Sequence, residues 1–220
     1  MTVTARSSDV WAKILVSAPA IGAAFGAATS LVNALSDSFA DLEGRAYTTG
    51  GWSVAEIMSV LLDSGWAWAG LAVAVGWLVT RAGKSRPAAP ARGGAAGALA
   101  LLAATAAYSI VDTIRSGGCA WEWYASEPPL WYIAAVIFGA PLGAVGACVR
   151  RPGAIGLLAR LTVPVGAAVQ MVVLPPGRNE VVQTMGKTIV WTAAAAAIGF
   201  IVARFLTERR RRSPAATESP

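Results

Sequence analysis

The chain has 220 residues, of which 55% are hydrophobic and only 14% charged, and its mean hydropathy is +0.56. A water-soluble domain carries about 25% charged residues, so this composition excludes an ordinary soluble globule and makes lipid the solvent for most of the chain. The net charge of +6 does not argue for a nucleic-acid partner, because the basic residues sit at the ends of apolar segments, where Lys and Arg act as topology signals.

Residues 1–10 are expected to form a cytoplasmic N-terminus, and the first apolar stretch runs from Trp11 to Leu35. Ala18-Pro19-Ala20 has the look of a signal-peptide cleavage site. Few apolar residues precede it, however, and the stretch continues well beyond, so an uncleaved first span is expected. Within it Gly22 and Gly26 form a GxxxG pair, and Ala20, Ala24 and Ala28 continue the same spacing. Such stripes let helix backbones approach closely, inside one bundle or against another chain. Internal packing is the favoured reading; a membrane partner or a second copy meeting Gly22, Gly26, Ala20, Ala24 and Ala28 is the alternative.

Ser53 and Glu56 read as a capping box, and Val54, Ile57, Met58, Leu61 and Leu62 share one helical face. About ten residues cannot cross a bilayer, so a short helix along the outer interface is expected, with Asp63-Ser64 capping the next span. That second span, Gly65 to Thr80, opens on Trp66 and Trp68. The third, Ala95 to Ile114, carries Asp112 near its end, three residues before Arg115 and able to pair with it.

The loop from Arg115 to Pro129 holds Trp121, Trp123 and Tyr124. With Trp52, Trp66, Trp68, Trp131 and Tyr132 they make an outer aromatic belt, while Trp11 and Trp77 mark the inner one. Spans four to six run from Leu130 to Val149, Ile155 to Leu174 and Thr188 to Leu206, and Gly139, Gly143 and Ala147 repeat the small-residue stripe. Pro19, Pro141 and Pro164 fall inside spans, where each removes one helical N–H and favours a kink. The basic stretch and small polar residues of 207–220 are expected to be a disordered cytoplasmic tail.

A bilayer core takes about 20 apolar helical residues per crossing, and a lone span in lipid satisfies its backbone only as a helix. The expected fold is therefore all-α: a polytopic transmembrane helix bundle of about six spans over residues 11–206, with a short outer interfacial helix. The ends rich in Lys and Arg, around Arg81, Lys84, Arg86, Arg92, Arg150, Arg151 and Arg209 to Arg212, are assigned to the cytoplasm, which puts both termini inside. The lipid bilayer of the cell membrane is the first partner.

Histidine is absent, which removes the commonest proton shuttle and transition-metal ligand. Cys119 and Cys148 fall near opposite ends of one span, roughly 30 Å apart, whereas a disulfide needs Cα atoms within about 7 Å. Gly83-Lys84-Ser85 lacks the first glycine of a P-loop, whose place Leu78 takes. No cofactor, metal or catalytic residue is expected; Asp112 and Glu122 would serve as acid and base only with suitable geometry.

Polar and ionisable residues in spans are costly and become candidates by default. Asp63, Trp66, Asp112, Trp121 and Trp123 gather aromatic and acidic groups on the outer face, as a ligand site would. Arg160 lies about two turns inside span five and is expected to snorkel to the inner headgroups, with anion binding as the alternative. Asn33, Gln170 and Gln183 are expected to hydrogen-bond between helices. The functional expectation is small-molecule binding or transport through an outward-facing cavity; the alternative is a non-catalytic scaffold or accessory subunit of a membrane complex.

Leu62-Asp63-Ser64-Gly65 leading into Trp66 and Trp68, Tyr108, and Trp131 followed by Gly139-Ala140-Pro141-Leu142-Gly143 and Arg150-Arg151 carry a resemblance. From Gly65 to Leu206 the chain resembles a family of small actinobacterial six-span integral membrane proteins of unknown function. That resemblance implies a fold and brings no activity or site residue. The chain is also similar, in size and span number, to the substrate-binding components of energy-coupling-factor transporters. These meet a shared transmembrane partner through an Ala-x-x-x-Ala face, which Ala20, Ala24 and Ala28 match; their outer loops and vitamin-binding residues have no counterpart.

Overall fold

The computed structural model describes residues 2–42, 53–81, 88–119, 129–175 and 180–212. Among these residues the secondary structure is entirely helical: α1 (Thr2–Leu42), α2 (Val54–Leu62), α3 (Gly65–Thr80), α4 (Ala89–Arg115), α5 (Pro129–Cys148), α6 (Ala154–Val173) and α7 (Glu180–Arg212). Five segments are long and apolar enough to cross a membrane, namely Ile14–Asp37, Ala89–Arg115, Pro129–Cys148, Ala154–Val173 and Glu180–Arg211. Helices α2 and α3 pass the same test together, bent by 59° at Asp63-Ser64. The molecule is a membrane-spanning helical bundle of the expected kind.

Helix ends run further than the apolar stretches alone suggested. Helix α1 begins at Thr2, and α7 stays helical through the first residues of the expected tail to Arg212. There Arg204 Nε donates to Glu208 Oε1 at 2.9 Å, one turn on, a spacing that supports an exposed helix.

Small residues decide how the helices pack. Lipid tails are as apolar as Leu, so spans gain little by hiding apolar surface from one another and are held by close contact. Helix α4 is the hub, flanked by α1 and α5 and touching α3. Gly22 and Gly26 of α1 lie so near α4 that a Cβ on either would overlap the carbonyl of Ala100 or Ala104. On its other side, Gly93 and Gly97 of α4 meet Gly139 and Gly143 of α5. Gly76 of α3 meets Gly143, and Gly146 sits on Val73 and Trp77.

Ala20, Ala24 and Ala28 do not share this seam. Each residue turns the helix by about 100°, so positions two apart fall on nearly opposite faces. Gly22 and Gly26 are buried against α4, whereas the three alanines are exposed. The expected single surface is thus two surfaces, one spent inside the bundle.

The register of these contacts fixes the crossings. Gly22 opposes Ala100 and Gly26 opposes Ala104, so α1 and α4 run parallel. Parallel spans require an odd number of crossings between them, so the bent α2–α3 pair is one full crossing and not a re-entrant loop. Helices α3 and α5 are likewise parallel, since Gly76 meets Gly143 and Arg81 meets Arg150 further along both chains, and α4 and α5 are antiparallel. Six crossings follow, with Thr2 and Arg212 at one end. Arg81, Arg92, Arg150, Arg151 and Arg160 share that end, here termed the arginine end. Asp37, Asp63, Asp112 and Glu180 mark the opposite, acid end.

Helices α6 and α7 form a hairpin that rests on α3 and α2. It is held more lightly: 11% of the apolar window of α7 is buried inside the fold, against 44% for α4.

Candidate functional site

The break between α2 and α3 is built from short polar residues. Ser53 and Glu56 form the expected capping box: the Glu56 N–H donates to Ser53 Oγ at 3.1 Å, and the Ser53 N–H donates to Glu56 Oε2 at 3.0 Å. Helix α2 then buries Ser59 and Val60 and stops at Asp63, whose N–H donates to Ser59 O at 2.8 Å.

Asp63-Ser64 was expected to cap the second span; Ser64 does hold its N-cap position, but without a side-chain cap bond. Asp63 is the C-terminal cap of α2 and is exposed. Ser64 holds the N-cap position of α3, but its hydroxyl donates backwards to the Val60 carbonyl and makes no cap bond to α3. The Trp66 N–H instead donates to Gln170 Oε1 of α6 at 2.7 Å. Backbone groups freed at a break between two helices need such partners wherever they are buried. Gln170 thus bonds between helices, as expected. Gly65 leaves it room, since a Cβ there would lie 3.3 Å from Oε1.

A second set of polar contacts surrounds the break. Asn33 of α1 accepts a hydrogen bond from Ser59 Oγ of α2 at 2.7 Å and donates through Nδ2 to the Tyr108 hydroxyl of α4 at 3.2 Å. One amide therefore joins three helices. Ser109 Oγ lies 3.2 Å from the Tyr132 hydroxyl, joining α4 to α5. Phe25 meets Trp68 edge-on with ring centroids 5.5 Å apart. The Trp66 ring packs with Leu61 on Ala167, Met171 and Val190.

Several buried polar atoms in this half of the bundle remain unsatisfied. Trp66 Nε1 and the hydroxyls of Ser30, Ser36 and Thr113 find no hydrogen-bond partner among the described residues. Thr29 and Thr105 avoid this by donating to the carbonyl four residues back. Each unsatisfied group costs about 1–3 kcal/mol, a cost that a bound polar molecule would relieve.

The expected site residues are only partly brought together. Asp63 and Trp66 flank the break. Asp112 pairs with Arg115 of its own helix at 3.9 Å, with about two-fifths of each side chain exposed, so it is a surface pair of small energetic weight. Trp121 and Trp123 lie outside the described residues.

Arg160 stands at the other end of the molecule. Its Nε donates to the Val149 carbonyl at 2.9 Å, just beyond the last turn of α5. That bond holds its guanidinium on a helix C-terminus at the arginine end, where orphan carbonyls and the helix dipole both favour a cation. Gln183, also expected to bridge helices, accepts from Lys187 Nζ of its own helix at 3.4 Å.

Tyr108, Ser59, Ser64 and Tyr132 were not singled out as site residues, although a signal existed. Ser30, Asn33 and Ser36 recur every third residue of α1, and Thr105, Ser109 and Thr113 every fourth of α4, marking a polar stripe on each of two apolar helices. Among the described residues no three His, Cys, Asp or Glu side chains gather as metal ligands, and Cys119 and Cys148 form no disulfide. Compared with protein families, curated proteins and solved structures, the chain finds no match.

Proposed function

We propose that the chain binds a small, uncharged, hydrogen-bonding molecule beside the α2–α3 break and acts in its uptake or transport. The observation that carries this reading is the excess of neutral polar groups around the break. Ser64 and Gln170 already satisfy backbone groups there, yet the Trp66 indole N–H and three further hydroxyls are buried without partners. Broken spans with polar surroundings are a recurrent way of building a solute site at membrane depth. The charged groups Asp63, Asp112 and Arg115 are not fully buried, so the interior favours a neutral molecule over an ion. A melting-temperature screen of the purified protein against amides, polyols and nucleosides tests this. The expected result is a stabilising compound, with a gain of about 2.7 kcal/mol at a hundredfold excess over Kd, and loss of that gain in Asn33→Leu and Trp66→Phe. Equal stabilisation of both variants would remove the break as the site.

A second reading is an accessory subunit that meets a membrane partner. It rests on the exposed Ala20, Ala24 and Ala28, left outward when Gly22 and Gly26 pack inward. A partner that copurifies with the wild type and is lost from Ala24→Leu, with no compound stabilising the chain, would favour it.

A further inference from the structure

The arginine end contains a cluster that the break does not explain. Arg81 is the C-terminal cap of α3, and its guanidinium carbon lies 5.6 Å from the centroid of the Trp77 ring, a cation–π distance. Arg150, just after α5, donates from Nη1 to the Arg81 carbonyl at 3.2 Å. The close fit of Gly146 on Val73 and Trp77 draws these two helix ends together. Arg151 is next in the chain. Among the described residues no carboxylate pairs with Arg81, Arg150 or Arg151, and Glu208 is engaged by Arg204.

The cluster also has a direction. Ala74, Trp77 and Arg81 are exposed positions spaced along one face of α3. The 16 residues of α3 make a helix about 24 Å long, which places Arg81 at headgroup depth and Trp77 one turn deeper, at the interface. An acyl chain lying against Ala74 and Trp77 would bring its headgroup to Arg81 and Arg150. A guanidinium fork matches a phosphate in geometry as well as in charge.

We propose that Trp77, Arg81 and Arg150 form a binding site for the phosphodiester headgroup of an anionic phospholipid. A lipid fits better than a soluble anion because the indole and Ala74 open sideways onto the apolar surface. Positive charge at a helix end attracts anionic lipids in general, by about 1 kcal/mol for each Lys or Arg, which is about fivefold in affinity. A built site predicts a preference that depends on these residues and not on net charge alone.

The test uses the full-length protein in micelles containing equal phosphatidylglycerol and phosphatidylcholine, with bound lipid counted by native mass spectrometry. The wild type is expected to retain phosphatidylglycerol preferentially. Arg81→Gln with Arg150→Gln should reduce that preference about fivefold per arginine, while Arg209→Gln with Arg210→Gln, an equal loss of charge elsewhere at the same end, leaves it nearly intact. Equal retention of the two lipids by the wild type, or equal losses in the two double variants, overturns the proposal. If the first double variant does not fold, Trp77→Leu keeps both charges and is expected to lower the preference; an unchanged preference there also overturns it. Displacement of the lipid by soluble glycerol phosphate at equal concentration would assign the site to a free anion and reject the lipid.

Discussion

Arg160 shows how a single side chain takes its role from its surroundings. Six residues into α6, or about 9 Å from its start, it remained long enough to reach water, and snorkelling was the reasonable expectation. Its Nε meets the Val149 carbonyl, eleven residues earlier in the chain, and that bond sets where the guanidinium sits. A charged donor on a helix C-terminus combines a hydrogen bond worth about 1.5–3 kcal/mol with a favourable dipole term. Arg160→Leu is therefore expected to destabilise the protein by about 1–3 kcal/mol in a melting experiment in detergent. Arg160→Lys should lose less, because the charge stays although the planar guanidinium does not. Equal losses in the two variants would show that the shape of the guanidinium, and not its charge, holds α5 and α6 together. From the sequence, Arg160 was identifiable as an unusual residue. Its acceptor was not, since a carbonyl displays its need for a donor only after α5 has ended and α6 has turned back beside it.

At the scale of the helix, the contrast between glycines is the sharpest test of the packing. A Cβ on Gly26 overlaps the backbone of α4, whereas one on Gly199 of α7 meets nothing within 4 Å. Gly26→Ala is expected to lower stability by about 1–3 kcal/mol or to prevent accumulation of folded protein. Gly199→Ala should leave stability unchanged or raise it by up to about 1 kcal/mol, as alanine favours the helix. Similar melting temperatures for the two variants would refute the α1–α4 seam. Much at this scale was legible in the sequence. The Ser53–Glu56 box started a helix, the apolar lengths located the spans, and Gly139 with Gly143 marked a contact surface. Spacing did not reveal which of two interleaved stripes on α1 faced inward, because Gly22 with Gly26 and Ala20 with Ala24 have the same period on different faces. Nor did it reveal that α2 would be pinned to α1, since its amphipathic face looks the same with or without the part-buried Ser59–Asn33 contact.

For the whole molecule, six crossings place Thr2 and Arg212 at the arginine end, which the positive-inside rule predicts to face the cytoplasm. Cys119 follows α4 and is exposed, while Cys148 closes α5 at the opposite end and is half-buried. A membrane-impermeant maleimide applied to intact cells is expected to label Cys119, and Cys148 only after permeabilisation; labelling of Cys148 from outside would reverse the orientation. The parallel pairing of α1 with α4 also bears on how the protein is made. Helix α1 leaves the ribosome before α4, and the backbone that Gly22 and Gly26 fit is synthesised only after α2 and α3. At about 5–20 residues per second, α1 waits for several seconds in the bilayer with its notch open. Helix α1 is thus locked only when α4 arrives, and during that interval the nascent chain depends on whatever in the membrane can shelter two bare glycines.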